Sequence, residues 1–584
     1  MNEVWNLERM YSGFDDPKYQ ADFDSFEKKI AQFIAFTEEL DGMTPLDGLR
    51  KGIRLQEELE LVSDTLSAYP RLRAATNAKD VEAISQSGRI MSVYSNMAGA
   101  GTVFRKWACR IPDLMELVEQ DPDLADYTFF FRTMLELQRF ALSPDASRVS
   151  AKLRMSGGSA WAKLQGELTS TVPVHYRDTV TNLSSIRNLA YDADPQVRKD
   201  AYQAELACYE SIKEPVAHAL NAIKLETISS CQLAGYESPL AMTLTRSNME
   251  RATLDAMLSA MDEYSPKFWQ YLKAKAKALG HENGLPWYDL FAPMGNSSTT
   301  FTTEQAKDFL LQQFSTFDQE LTDMVRTAFD DAWIDFYPRD GKRGGAFCSS
   351  IHAIGESRIL TNYDGMFTDV VTLAHELGHA FHNLCIHSHR SLNRDYSMPV
   401  AETASTFNEC VVMNAAIKAA GDKQEQIALI ESQLQDATQI ICDIYSRYRF
   451  ETAVFANRER KFMNADALCQ LMLEAQKQSY GDGLDHSCLH PFMWVCKSHY
   501  YGPTFYNFPY AFGGLFARGL YAQYEKEGAV FVPKYKKLLY TTPIATAEDA
   551  AKVAGIDLTD RNFWCSALQT IANQIDLFCA LVEE

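Results

Sequence analysis

The stretch TLAHELGHAFHNLC, residues 372–385, does most to limit what this chain can fold into. His375 and His379 stand four positions apart, and in an α-helix such residues lie about 40° apart on one face. If the segment is helical, both imidazoles can point at one ion. The neighbouring apolar positions agree: Val370, Val371, Leu373 and Ala374 supply a face to bury, and Thr368 or Asp369 is expected to cap the start. Gly378 costs about 1 kcal/mol in a helix interior, which is tolerable where a ligand or another backbone must come close.

The same helical period runs through the rest of the chain. Residues 24–40 and 425–455 both repeat apolar side chains at i, i+3, i+4 and i+7. Strand-like runs are few, at 343–351 and 358–365, short and directly upstream of the histidines. The expected fold is therefore mainly α, with a small β-sheet beside the histidine helix. Asp194-Pro195 closes a polar turn and opens a long amphipathic helix, and residues 281–300 form a zone dense in Gly, Pro, Asn and Ser. We divide the chain into an N-terminal helical lobe, residues 1–190, and a catalytic part, residues 191–584.

In the register His-Glu-x-x-His, His375 and His379 hold Zn²⁺ while Glu376 activates the water bound to it. Catalytic zinc takes a third protein ligand and keeps an open position. A continuation HExxHxxGxxH fails, because His382 stands at the glycine position and Cys385 at the last histidine position. Cys385 can ligate zinc, but a lone cysteine on a helix is more often packing. A carboxylate from a following helix is the other source. Ser397 and Pro399 open such a helix, and it carries Glu402, 23 residues after His379. Glu409, two turns on, faces the same way and suits a hydrogen bond to a ligand imidazole.

TLAHELGHAFH followed by AETASTFNE resembles the M3 zinc oligopeptidases, in particular the oligoendopeptidase F branch. KRGGAFC, ILTNYDG, DPQVRKDAY, GYESPL and WNLERMYSG are similar to that branch as well, so the likeness covers most of the chain. It implies one zinc per chain on His375, His379 and Glu402, with Glu376 as base. It also implies a closed ellipsoidal body with a deep channel around a zincin-like core, admitting short peptides. The developing oxyanion needs a donor. KSHYYGPTFYNFPYAFGG, residues 497–514, gathers a histidine and four tyrosines. The resemblance assigns His499, Tyr506 and Tyr510 there, with Tyr510 the first choice as oxyanion donor, Tyr506 the second, and Tyr500 and Tyr501 as competitors. Gly344, Gly345, Ala346 and Phe347 form a candidate strand edge for an extended peptide. His382, His387 and His389 are read as packing or surface residues.

The implied activity is internal cleavage of short peptides. The alternatives are a zinc exopeptidase, for which no GAMEN-type anchor is visible, and a non-catalytic peptide-binding protein on the same scaffold. Composition narrows the partners. Lys and Arg number 56 against 77 Asp and Glu, a formal net charge of −21 that argues against nucleic acid. No run reaches the roughly 18 uninterrupted apolar residues that a membrane span needs, and residues 1–20 show no basic region followed by the apolar run of a secretory signal. The twelve scattered cysteines contain no CxxC pair and read as reduced thiols of a cytoplasmic protein.

Overall fold

A computed structural model of the chain describes residues 2–295 and 300–583. Helices carry most of the structure, and among the described residues strands form only a small hairpin and a small sheet, as the periodicity predicts. The chain divides into two compact units, each assembled from separated stretches of sequence. The first comprises residues 1–139, 299–412 and 523–556, and the second residues 140–298, 413–522 and 557–584.

In the first unit two long helices, Pro17–Glu39 and Pro45–Thr76, pack together. Each starts with proline in its first turn behind a capping side chain, Asp16 or Thr44, where the missing N–H costs nothing. The unit's sheet joins β3 (Ile334–Asp335), β4 (Phe347–Ile351) and β5 (Glu356–Leu360) in the order β3-β5-β4. β3 runs parallel to β5 and β4 antiparallel to it, with Ser349 opposite Arg358. Central β5 is buried along its whole length, and the Arg358 guanidinium in it binds Glu356 at 2.9 Å. β4 is left as an edge strand whose Ser349 and Ile351 point inward. The histidine helix, Phe367–Ile386, packs against β4 and β5. Phe367, Val370, Leu373, Ala374, Leu377, Ala380 and Phe381 form its buried face.

Several expectations need adjusting. The histidine helix starts at Phe367, so neither Thr368 nor Asp369 is its N-cap; Asp369 instead reaches back to accept from the N–H groups of Met366 and Asp364, at 3.0 and 2.9 Å. The strand expected over 343–351 begins only at Phe347, because Gly345 adopts φ +79° and bends the chain before it. The strand expected over 358–365 runs from Glu356 to Leu360. The periodic stretch 425–455 is helical but broken by a π turn at Gln439–Asp443. In the 281–300 zone, residues 296–299 lie outside the described residues.

The second unit contains the hairpin β1 (Val174–Tyr176) and β2 (Thr179–Thr181), with helices around it. Its final helix, Arg561–Glu583, is long and apolar enough by composition to cross a membrane. It packs on the helix Arg251–Ala278 and buries one face, with Trp564, Leu568, Ile571, Ile575 and Phe578. A buried ion pair ties two further helices: Lys224 Nζ donates to Glu451 Oε1 at 2.6 Å, and neither side chain is more than 1% exposed. Removing one partner of such a pair strands the other charge. Lys224→Met is therefore expected to destabilise the protein by about 3–5 kcal/mol, read as a lowered urea midpoint.

Candidate metal centre

The histidine helix and the segment after Val400 build a centre within the first unit. A 3₁₀ turn at Met398–Val400 leads to the helix Thr403–Ala419, so Glu402 stands just ahead of that helix rather than inside it. Its Oε2 lies 3.3 Å from His375 Nε2 and 3.4 Å from His379 Nε2. The two imidazole rings are 4.9 Å apart and nearly perpendicular, at 82°. The expected donors His375, His379 and Glu402 thus come together, and Cys385 does not join them.

These separations test the donor set. Zinc bonds of about 2.0–2.1 Å in a tetrahedron put neighbouring ligand atoms about 3.3–3.4 Å apart, which is what Glu402 makes with both imidazoles. Two nitrogens and one carboxylate oxygen are the chemistry of a catalytic zinc site. The residues fit the ion.

Neighbouring groups orient the donors. Glu409 Oε1 lies 2.5 Å from His375 Nδ1, which places a ring proton on Nδ1 and directs Nε2 at Glu402. Ser405 Oγ donates to Glu402 Oε2 at 2.7 Å. Burial alone would lower the His375 pKa, but its bonds to Glu402 and Glu409 outweigh that and lift it to about 10. Burial opposes ionisation of Glu402, yet the two imidazoles overcome it and hold the carboxyl well below its usual range.

Gly378 explains how the two segments meet. A Cβ at this position would stand 2.5 Å from both Ala404 O and Ser405 Cα. Asn408 Nδ2 adds a bond across the same contact, to Ala374 O at 3.2 Å. Glu376 is only 5% exposed, and its Oε2 has no hydrogen-bond partner among the described residues. Burial pushes its carboxyl pKa up.

The remaining candidates divide. His499, Tyr506 and Tyr510 cluster in the second unit: Tyr510 Oη is 3.5 Å from His499 Nε2, and Tyr506 stacks on the histidine ring at 5.8 Å. Burial, with Arg447 and Lys497 nearby, lowers the His499 pKa to about 4, so the ring is neutral at pH 7. Tyr500 and Tyr501 point into the core, and Tyr501 Oη donates to Trp494 O at 2.9 Å. Gly344 and Gly345 are exposed beside Ala346, ahead of the β4 edge that Phe347 opens, and Asn362 Nδ2 donates to Gly345 O at 2.8 Å. His382 is buried, stacked on Tyr396 at 4.1 Å and bonded to Thr542; His389 stacks on Tyr540.

One device escaped the sequence reading. Glu451, besides Lys224, accepts from Asn507 Nδ2 at 2.7 Å and from the Phe505 N–H at 3.2 Å, bracketing Tyr506. Its signal was an acidic residue inside the apolar run FETAVF.

The profile of Peptidase family M3 matches residues 188–570, and that of Oligopeptidase F matches residues 112–172. Group B oligopeptidase PepB of Streptococcus agalactiae serotype III (strain NEM316) is 23% identical over 480 residues, covering 80% of this chain and 79% of its own. Among solved structures, a candidate peptidase from Chlamydophila abortus superposes with TM-score 0.88 at 20% identity, over 99% of this chain and 98% of its own. Oligoendopeptidase-F from Enterococcus faecium gives TM-score 0.71 at 16% identity, over 97% and 99%.

Two substitutions test the geometry. Gly378→Ala is expected to push residues 404–405 away, lowering stability by about 1–3 kcal/mol and zinc occupancy after dialysis. Glu409→Gln is expected to weaken zinc binding about 10- to 100-fold, measured by competition with a chelator.

Proposed function

The chain belongs to peptidase family M3, and on that premise we propose that it is a zinc-dependent oligoendopeptidase that hydrolyses internal bonds of short peptides in the cytoplasm. The observation that carries the reading is the carboxylate of Glu402 set 3.3 and 3.4 Å from two imidazoles, with Glu376 on the histidine helix, whose buried Oε2 has no partner among the described residues.

His375, His379 and Glu402 would hold one Zn²⁺, and Glu409 would keep His375 in its ligating tautomer. When bound, the ion polarises the scissile carbonyl and acidifies the attacking water. Glu376 takes the proton from that water and passes it to the leaving amine, a role suited to a buried carboxylate with a raised pKa. Tyr510, or Tyr506 beside it, donates to the oxyanion, and the neutral His499 is available as a further hydrogen-bonding group. The open edge of β4, with Gly344, Gly345 and Ala346 before Phe347, pairs with the backbone of an extended peptide.

The roles separate by substitution. Glu376→Gln is expected to cut turnover of a peptide blocked at both ends by about 10²- to 10⁴-fold or more while leaving zinc bound. Glu402→Ala is expected to lower zinc content itself, measured by metal analysis. Loss of zinc in Glu376→Gln, or full zinc in Glu402→Ala, would reverse the assignments. Blocked peptides left intact by the unsubstituted enzyme would point to an exopeptidase.

A further inference from the structure

The second unit holds a cavity of about 270 Å³ that the proposed mechanism does not use. Tyr191 packs against Phe291 at 4.9 Å and Tyr202 against Tyr288 at 5.9 Å, giving it aromatic walls. Arg187, Arg198 and Lys497 also line it, together with Gln439 of the π turn, a distortion that recurs at functional sites.

The charges around this space do not balance. Arg198 is matched by Asp289 at 2.8 Å, and its Nη1 donates to the carbonyls of Asp192 and Ala193. Arg187 meets Glu205, Tyr209 and Cys496, all through Nη1. Arg447, behind the wall, is matched by Asp443. Lys497 is left over: its ammonium makes no hydrogen bond or ion pair among the described residues. Burial pushes its pKa down, Asp443 resists, and Arg447 and Arg187 add to the push. An anion in the cavity would relieve that strain, and the flat walls would cover an apolar body next to it. The volume suits one terminal residue rather than a long segment, since small-molecule sites start at about 300 Å³.

We infer that this cavity binds a carboxylate, with Lys497 as the charge that holds it, Arg187 as second donor and the aromatic walls as the bed for an apolar side chain, and that the ligand is the free C-terminus of a peptide. The choice of a peptide rests on the peptidase reading; the anion chemistry does not.

The test is calorimetric binding to the full-length, zinc-loaded Glu376→Gln protein, which should leave peptides intact. One peptide ending in phenylalanine is compared as free acid and as C-terminal amide. The acid is expected to bind about tenfold tighter, the difference is expected to vanish in an added Lys497→Met, and Lys497→Arg is expected to keep most of it. Equal binding of acid and amide, or a preference that survives Lys497→Met, overturns the inference. Inorganic phosphate is the second probe: phosphate binding that depends on Lys497 while acid and amide bind alike would make this a free-anion site and remove the peptide assignment. Absence of turnover in the unsubstituted enzyme would sink the peptidase reading and leave this comparison readable. Equal acid and amide binding with turnover intact would sink this inference alone.

Discussion

The absence of a side chain at Gly378 allows the backbone of residues 404–405 to lie directly on the histidine helix, at a distance that no Cβ could share. The centre in the first unit depends on that contact. A glycine there costs helix stability, and the return is that a second segment can start within reach of the imidazoles. Because Glu402 immediately precedes the contact, its carboxylate arrives between His375 and His379 without a long side-chain excursion. Because Glu409 follows by two turns, it meets His375 from the other side. Asn408 closes the seam by binding the carbonyl of Ala374.

The same geometry disposes of Cys385. It lies ten positions after His375, about 80° around the helix from it, and faces the charges of Glu320, Lys536 and Asp318 instead. His382 is nearly in line with His375 but two turns along, where Tyr396 and Thr542 occupy it. Of the three histidines in the stretch, the two that the third donor can reach are the two left free of packing partners of that kind. Glu376 completes the asymmetry, since it shares the helix but its Oε2 is buried without a partner. A buried carboxylate in that condition is costly to ionise, a feature more readily kept for proton transfer than for stability.

Much of this was legible because helical spacing is local information. The pairing of His375 with His379 follows from counting along a helix, whereas Glu402 was expected as a carboxylate of the next helix and from the family resemblance. What was not legible depended on backbone geometry at element ends. Asp369 looks like a cap by residue type, yet it acts from inside the first turn. Glu402 looks like a helical residue by spacing, yet it sits before the helix, where its side chain is freer to turn toward the imidazoles. The stretch 425–455 keeps an unbroken apolar pattern across an inserted residue, because a π turn shifts the register without changing composition. That Gln439 of this turn lines a cavity cannot be read from periodicity at all.

The aromatic segment of the second unit shows how a buried charge can serve a local conformation. Phe505 adopts φ +52°, a region that a bulky L residue enters only when its surroundings compel it. The compelling group is Glu451, which accepts the Phe505 N–H and the Asn507 amide and is neutralised by Lys224. Tyr506 lies between these two anchored residues, and its ring stacks on His499. The ion pair is an expensive way to gain stability, since a well-packed apolar pair would do as well. It is an effective way to hold one strained turn in one shape. In the proposed reading, that shape aims the tyrosines, so the deepest charge pair of the unit acts through the backbone on side chains it does not touch.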